Sequence, residues 1–292
     1  MVHSVHVPGI PFTASGSVSA SVKAHADAKL GHVMKYISFL KKNQNIQYHV
    51  KKRVFDACLM SPMLYGCESW LNADLRPIVK LYNWCLKSSL NVRLTTCNDI
   101  CYVESGYPDL PSLVKSRQRK FLCKIWRERE RMKDGPLILS VKLVLENQYQ
   151  TRTYIIDLLH ADTDDLVEGV ELLKTNIYNS GSTKRITYRE INPTLSVHSV
   201  YRANTHVYEP HRVAFTRFKV SAHSLAVEVG RWNRRGRGRL PLEERLCTCG
   251  QIQTEVHVTH YSTFTQHFRN SHGFSSIQEL LSDRYAKLYT RF

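Results

Sequence analysis

A chain of 292 residues, 42% hydrophobic and 10% aromatic, has enough apolar surface to bury a sizeable core, which excludes a wholly disordered chain. Forty-one Lys and Arg against 25 Asp and Glu leave a net charge of +16, a balance that favours a polyanionic partner through counterion release and says little about fold. No stretch approaches the roughly 18 uninterrupted apolar residues of a membrane span, and the opening MVHSVHVPGIPFTASG lacks the charged start and apolar run of a secretory signal.

The opening, residues 1–18, is rich in Pro, Gly, Ser and Thr and reads as an irregular leader. From Ser19, the residues Val22, Ala26, Leu30, Val33, Met34, Ile37 and Leu40 recur at three- and four-residue steps and predict an amphipathic helix. A second helix is expected from Tyr48 to Leu64, kinked or ended by Pro62, and a third from Leu75 to Leu90. Asp109 and Ser112 are N-cap choices for a long helix from Leu113 to Met132, which Asp134-Gly135-Pro136 stops. Shorter helices are expected over 137–150, 152–160, 164–178, 184–191 and 212–228. Few runs alternate with strand period, so the fold class is mainly α. Of the eight cysteines only Cys247 and Cys249 form a compact unit, which points to a reducing compartment, nucleus or cytoplasm, and away from disulfides.

Three regions carry a family resemblance. SPMLYGCESW, Ser61 to Trp70, followed by LYNWCLKSSLNVRLTTCNDICYVESGYPDLPSLVKSRQRKF, Leu81 to Phe121, resembles the region directly after the palm of reverse transcriptases from non-LTR retrotransposons, with Tyr65, Gly66, Glu68 and Trp70 at the matching spacing. RWNRRGRGRLPLEERLCTCGQIQTEVHV, Arg231 to Val258, is similar to the basic run and zinc knuckle that close many of those polyproteins. PFTASGSVSASVKAHADAKLGHVMKYISFL is similar to the stretch after that family's active-site strands. The resemblance implies a thumb-like helical domain over 19–135, a helical C-terminal segment over 136–230, an Arg-rich run and knuckle over 231–270, and a C-terminal helix over 271–292. Read without the family, Tyr65 and Trp70 form an aromatic corner that packs, Gly66 permits its tight backbone, and Glu68 is left to pair with a basic group.

Polymerisation in that family needs paired aspartates holding two metal ions. This sequence has no aromatic-Ala-Asp-Asp unit. His160-Ala161-Asp162-Thr163-Asp164-Asp165 looks superficially similar, but its flanks read as helices, so Thr163 or Asp164 is better taken as a helix cap. Pro108-Asp109 lacks the following acid-x-Lys of a nuclease, and GRGR at Gly236 to Arg239 lacks the context of a phosphate loop. The expectation is a chain that lies after the catalytic centre, with no enzymatic activity, catalytic magnesium site, small-molecule substrate or membrane association of its own.

What remains is binding chemistry. Arg117, Arg119, Lys120, Lys124 and Arg127, with Lys115 nearby, crowd one predicted helix and form either a phosphate-facing surface or a solvated charged face. Arg231, Arg234, Arg235, Arg237 and Arg239 interleave with Trp232 and two glycines. Arginines bind phosphate bidentately and an indole stacks on unpaired bases, which makes RNA or DNA the expected partner; a nuclear-targeting signal or a plain linker are the alternatives. Cys247, Cys249 and His257 are candidate zinc ligands, with Gly250 allowing the turn beneath a metal. Where the family usually has a fourth Cys stands Ser262, so His260, one turn beyond His257, is the candidate fourth ligand and His267 a more distant one. The alternative is a decayed knuckle with reduced thiols. The competing functional class is a helical scaffold or adaptor; completion of a polymerase by a separately encoded palm is a third.

Overall fold

Helical periodicity dominates the sequence, and the structure, a computed structural model describing residues 4–7, 10–13, 16–128, 149–161, 164–203, 207–232, 238–274 and 276–281, is mainly α. The chain forms two compact units that interleave along the sequence, one of Met1–Phe39, Arg53–Cys85 and Pro108–Leu173, the other of Leu40–Lys52, Leu86–Tyr107 and Lys174–Phe292. No helix among the described residues is long and apolar enough to cross a membrane.

The irregular leader is corrected by a hairpin. β1 (Ser4–Val7) pairs antiparallel with β2 (Ile10–Thr13), Val5 opposite Phe12 and Val7 opposite Ile10. The signal was short but present, two β-rich runs on either side of Pro8-Gly9.

In the first unit, helix α1 (Val18–Lys42) buries Val22, Ala26, Val33, Ile37 and Leu40 of the expected stripe, together with Tyr36, whereas Leu30 and Met34 are exposed and correct it. Helix α2 (Tyr48–Phe55) leads into a π-helical turn over Asp56–Met60 and a last turn at Ser61–Met63. Pro62 has no N–H to return to the carbonyl four residues back, and the widened turn before it absorbs that loss. Phe55 then packs between Tyr36 and Tyr82, at ring separations of 5.7 and 5.9 Å. Gly66 turns the chain with φ +73° into the 3-10 turn Cys67–Ser69, a conformation that a side chain disfavours. The corner beyond it is half packed. Trp70 is buried edge-on against His25 at 5.1 Å, whereas Tyr65 is 53% exposed and corrects the expectation that both rings pack.

Helix α3 (Arg76–Leu90) follows. Helix α4 (Asn98–Ser105) carries no clear apolar stripe, because its buried residues Ile100, Cys101, Tyr102, Glu104 and Ser105 mix apolar with polar side chains. Helix α5 (Leu110–Glu128) begins three residues earlier than the pattern suggested: Asp109 is its cap, with Oδ1 accepting the Ser112 N–H at 2.9 Å. Its later residues, 129–132, and residues 137–148 of the helix expected over 137–150 lie outside the described residues. Gln118 of α5 donates to the Cys67 carbonyl at 3.0 Å and accepts from Tyr154 of α6 (Tyr149–His160) at 2.7 Å, fixing α5 against both neighbours. Helix α7 (Asp165–Tyr178) is capped by Asp164, whose Oδ1 accepts from Leu166 N at 2.9 Å, the role expected for that residue; Asp162 and Thr163 lie outside the described residues.

The second unit is built around α4, α8 (Thr183–Ile191) and α9 (Glu209–Lys219), with a core of Tyr48, Leu90, Cys101, Ile191, Val200 and Phe215 and further apolar neighbours. The single helix expected over 212–228 is in fact two, α9 and α10 (Ala226–Val229). Ser221, at φ +49°, breaks the ladder, and His223 Nδ1 then accepts the Leu225 N–H at 3.2 Å. An ionic network threads this core. Glu104, 0% exposed, accepts from Tyr188 and Tyr201 hydroxyls at 2.6 Å each and from Lys219 Nζ at 2.7 Å. Glu209 accepts from Lys51 Nζ at 2.6 Å and from Arg212 Nη2 at 2.7 Å. Buried charges persist only when paired this completely. The described residues end in the short helices α11 (Glu255–His260), α12 (Gln266–His272) and α13 (Ile277–Leu280), so the single helix expected from 271 is broken after His272; residues 282–292 lie outside the described residues.

Candidate nucleic-acid interface and metal cluster

Helix α5 sorts its cations by face. Arg119 Nη2 and Lys115 Nζ both turn toward Asp165, at 3.0 and 3.4 Å, and the Asp165 side chain is 1% exposed. These two cations are spent on holding α7. Arg117, Lys120 and Lys124, at three- and four-residue steps, line the other side and make no ion pair among the described residues. Together with Phe121 they form one wall of a groove of about 540 Å³ whose other wall is Gly66, Glu68 and Ser69. The Gly66 turn therefore presents backbone to the groove, and Glu68 is its lone acid among the lining residues. Three cations against one carboxylate make a polyanion-facing surface. Arg127 is exposed in the last turn of α5, outside the groove lining, where a cation suits the helix C-terminus.

The arginine run is partly anchored. Arg231 Nη2 donates to Thr183 Oγ1 at 3.0 Å and its Nε lies 3.5 Å from Glu228. Arg239 Nε donates back to the Arg231 carbonyl at 3.1 Å. Trp232 is 41% exposed, with the Arg93 guanidinium 5.7 Å from its ring. Arg234, Arg235 and Arg237 lie outside the described residues.

The Cys-x-Cys-Gly unit sits at the tip of a hairpin. Leu246 and Ile252 bridge antiparallel, Cys247 N donates to Gln251 O at 2.7 Å, and Gly250 at φ +83° closes the turn by donating to the Cys247 carbonyl at 2.9 Å. Thr254 Oγ1 caps α11 by accepting from His257 N at 3.0 Å, which sets His257 in the first turn of the helix, facing the hairpin. One donor atom each from Cys247, Cys249 and His257 then lies within 4.8 Å of the others, and this cluster has the donor set and spacing to hold a metal ion. Cys249 Sγ is 3.2 Å from His257 Nε2. The backbone N–H of Cys249 and the His257 imidazole, aided by Ser262 and Thr248, pull the Cys247 thiol down to about 6, toward the thiolate a metal requires.

His260 is not among those donors. Its ring packs near Tyr261 and Phe274, at 6.1 and 6.5 Å, and His267 is exposed elsewhere. Ser262 is the residue brought to the cluster, buried, with Oγ 3.8 Å from Cys247 Sγ. α11 ends at His260, and the Ser262 N–H returns to the His257 carbonyl at 2.8 Å, swinging residue 262 back toward the thiols. No family profile, curated protein or solved structure matches this chain.

Proposed function

We propose that this chain is a nucleic-acid-binding module without polymerase activity of its own, similar to the post-palm part of a non-LTR retrotransposon reverse transcriptase. The observation that carries the reading is the division of labour on α5. Lys115 and Arg119 are paired with Asp165, and Lys115 also with Glu168, while Arg117, Lys120 and Lys124 face an open groove containing a single acid. Such a groove follows a phosphate backbone with little base readout, RNA or DNA alike. The net charge of +16 supports the same partner through long-range attraction.

We further propose zinc as the metal of the hairpin cluster. Bond lengths of about 2.3 Å to sulfur and about 2.0 Å to nitrogen put tetrahedral donors roughly 3.5–3.8 Å apart; Cys249 Sγ and His257 Nε2 are 3.2 Å apart and all three donors lie within 4.8 Å of one another, a spacing that small side-chain shifts bring to the tetrahedral one. Cys247, Cys249 and His257 would hold the ion, which would supply structural cross-linking of hairpin to helix and no catalysis.

Titrating a labelled duplex and a labelled single strand against the protein over a salt series tests the reading. Arg117→Gln/Lys120→Gln/Lys124→Gln is expected to weaken binding at least about tenfold and to flatten the salt slope by about 0.7–0.9 per lost phosphate contact. Lys115→Gln is expected to leave both unchanged. Absence of binding at low salt would leave the helical scaffold as the better account.

A further inference from the structure

The second unit contains a basic recess that involves none of the α5 cations. A cleft of about 490 Å³ is lined by Val92, Arg93, Arg217, Phe218, His223 and Ser224, among others. Arg217 spends Nε and Nη2 on Asn91, donating to its backbone carbonyl and to Oδ1 at 2.8 Å each. It pairs with no carboxylate among the described residues. Arg93 donates Nη2 to the His223 carbonyl at 3.1 Å, holds Glu228 at 3.2 Å through Nη1, and lies against the Trp232 ring.

The local charge does not balance. Glu228 alone serves Arg93, Lys184 and Arg231, and Glu255 is held by His223 and Ser221 at 2.8 and 2.9 Å. Arg217 therefore adds a further cation to a site whose acids are already taken. Arg217 is exposed, and its partial desolvation and the neighbouring Arg93 and Arg212 hold its guanidinium somewhat below its ordinary value, the expected sign where guanidiniums crowd. The Phe218 ring forms an apolar part of the wall, and the half-exposed Trp232 indole stands beside Arg93.

We propose that this recess binds one phosphate of a single-stranded nucleic acid between Arg93 and Arg217, with an adjoining unpaired base stacked on Trp232. Guanidiniums in pairs suit a phosphate's oxygens, and an exposed indole takes a base only when that base is free of a duplex. The proposal deepens the nucleic-acid reading and rests on it for the source of the phosphate, but it involves different residues from the α5 groove.

The test is fluorescence anisotropy of the full chain with a labelled oligo-dT and an abasic oligomer of equal length, over a salt series. Arg217→Gln is expected to weaken both about tenfold and to flatten the salt slope by about 0.7. Ser224→Glu, which adds an anion while leaving the Arg217 bonds intact, is expected to weaken both at least as much. Trp232→Ala is expected to weaken oligo-dT about five- to tenfold and to spare the abasic oligomer. Wild-type affinity in both Arg217→Gln and Ser224→Glu would overturn the site, and equal losses on both oligomers in Trp232→Ala would overturn the stacking. The two readings separate: if Lys120→Gln/Lys124→Gln binds as wild type and Arg217→Gln does not, the recess stands and the groove falls; the reverse outcome removes the recess alone. A mononucleotide that binds as tightly as the oligomer would overturn the assignment to a strand.

Discussion

Ser262 Oγ stands 3.8 Å from Cys247 Sγ on a residue only 2% exposed. A hydroxyl thus stands beside Cys247, where the proposed zinc would need a fourth donor. Hydroxyl oxygen is a poorer zinc ligand than thiolate, so the proposed zinc would have three good ligands and at best a weak fourth.

Ser262→Cys is therefore expected to tighten zinc binding at least about tenfold, about 1.4 kcal/mol, read by competition against a chromophoric chelator. His260→Ala is expected to leave the affinity at the wild-type value. A drop in zinc affinity in His260→Ala equal to that in His257→Ala would return His260 to the ligand set.

The buried thiols set an alkaline limit. Burial pushes Cys67, Cys85 and Cys101 up to about 12 from 9.0. Folded thiols remain protonated where unfolded ones ionise, so their contribution is fully present below pH 9.0 and is lost as pH rises from there toward 12. The melting temperature is expected to fall between pH 9 and 11, and less steeply in Cys85→Ala than in wild type; parallel curves would show that other groups control it. Native alkylation at neutral pH is expected to label exposed Cys58 and spare these three.

Glu104→Gln tests the buried network. The carboxylate answers two tyrosine hydroxyls and Lys219, and removing its charge leaves the Lys219 ammonium buried without a counter-ion. A loss of about 3–5 kcal/mol is expected from urea denaturation. Tyr188→Phe removes one neutral donor and is expected to cost about 1 kcal/mol. Equal costs for the two variants would mean that the charge pairing contributes nothing special.

Gly66→Ala forces a side chain onto φ +73°. A loss of about 1–2 kcal/mol is expected, seen as a lower denaturant midpoint at unchanged slope. A midpoint equal to wild type would show that the corner relaxes to a conformation without strain.

Much of the helical fold is legible in local chemistry. The stripe Val22, Ala26, Val33, Ile37 specifies α1, and the carboxylates of Asp109 and Asp164 begin α5 and α7 because a cap needs only N–H groups two or three residues away. The Cys-x-Cys-Gly turn and a histidine eight residues after Cys249 likewise announce a cluster, since turn and cap are both short-range. Helix α4 carries no such stripe because buried Glu104 and Ser105 interrupt its apolar residues, and the break at Ser221 goes unsignalled because its left-handed backbone has no glycine.

Charge assignment depended on the tertiary structure. In sequence Arg119 and Lys120 are adjacent and equivalent; the fold brings Asp165, 46 residues beyond Arg119, against one of them and leaves the other on a groove. The same holds for Ser262 against His260. One turn of helix makes His260 the better guess, but the helix ends there and the returning chain carries Ser262 to the thiols. Periodicity and capping are determined by neighbours a few residues away, so the sequence determined most of the helices. Which cation is neutralised and which donor reaches a cluster depend on groups far apart along the chain, and only packing brought those together.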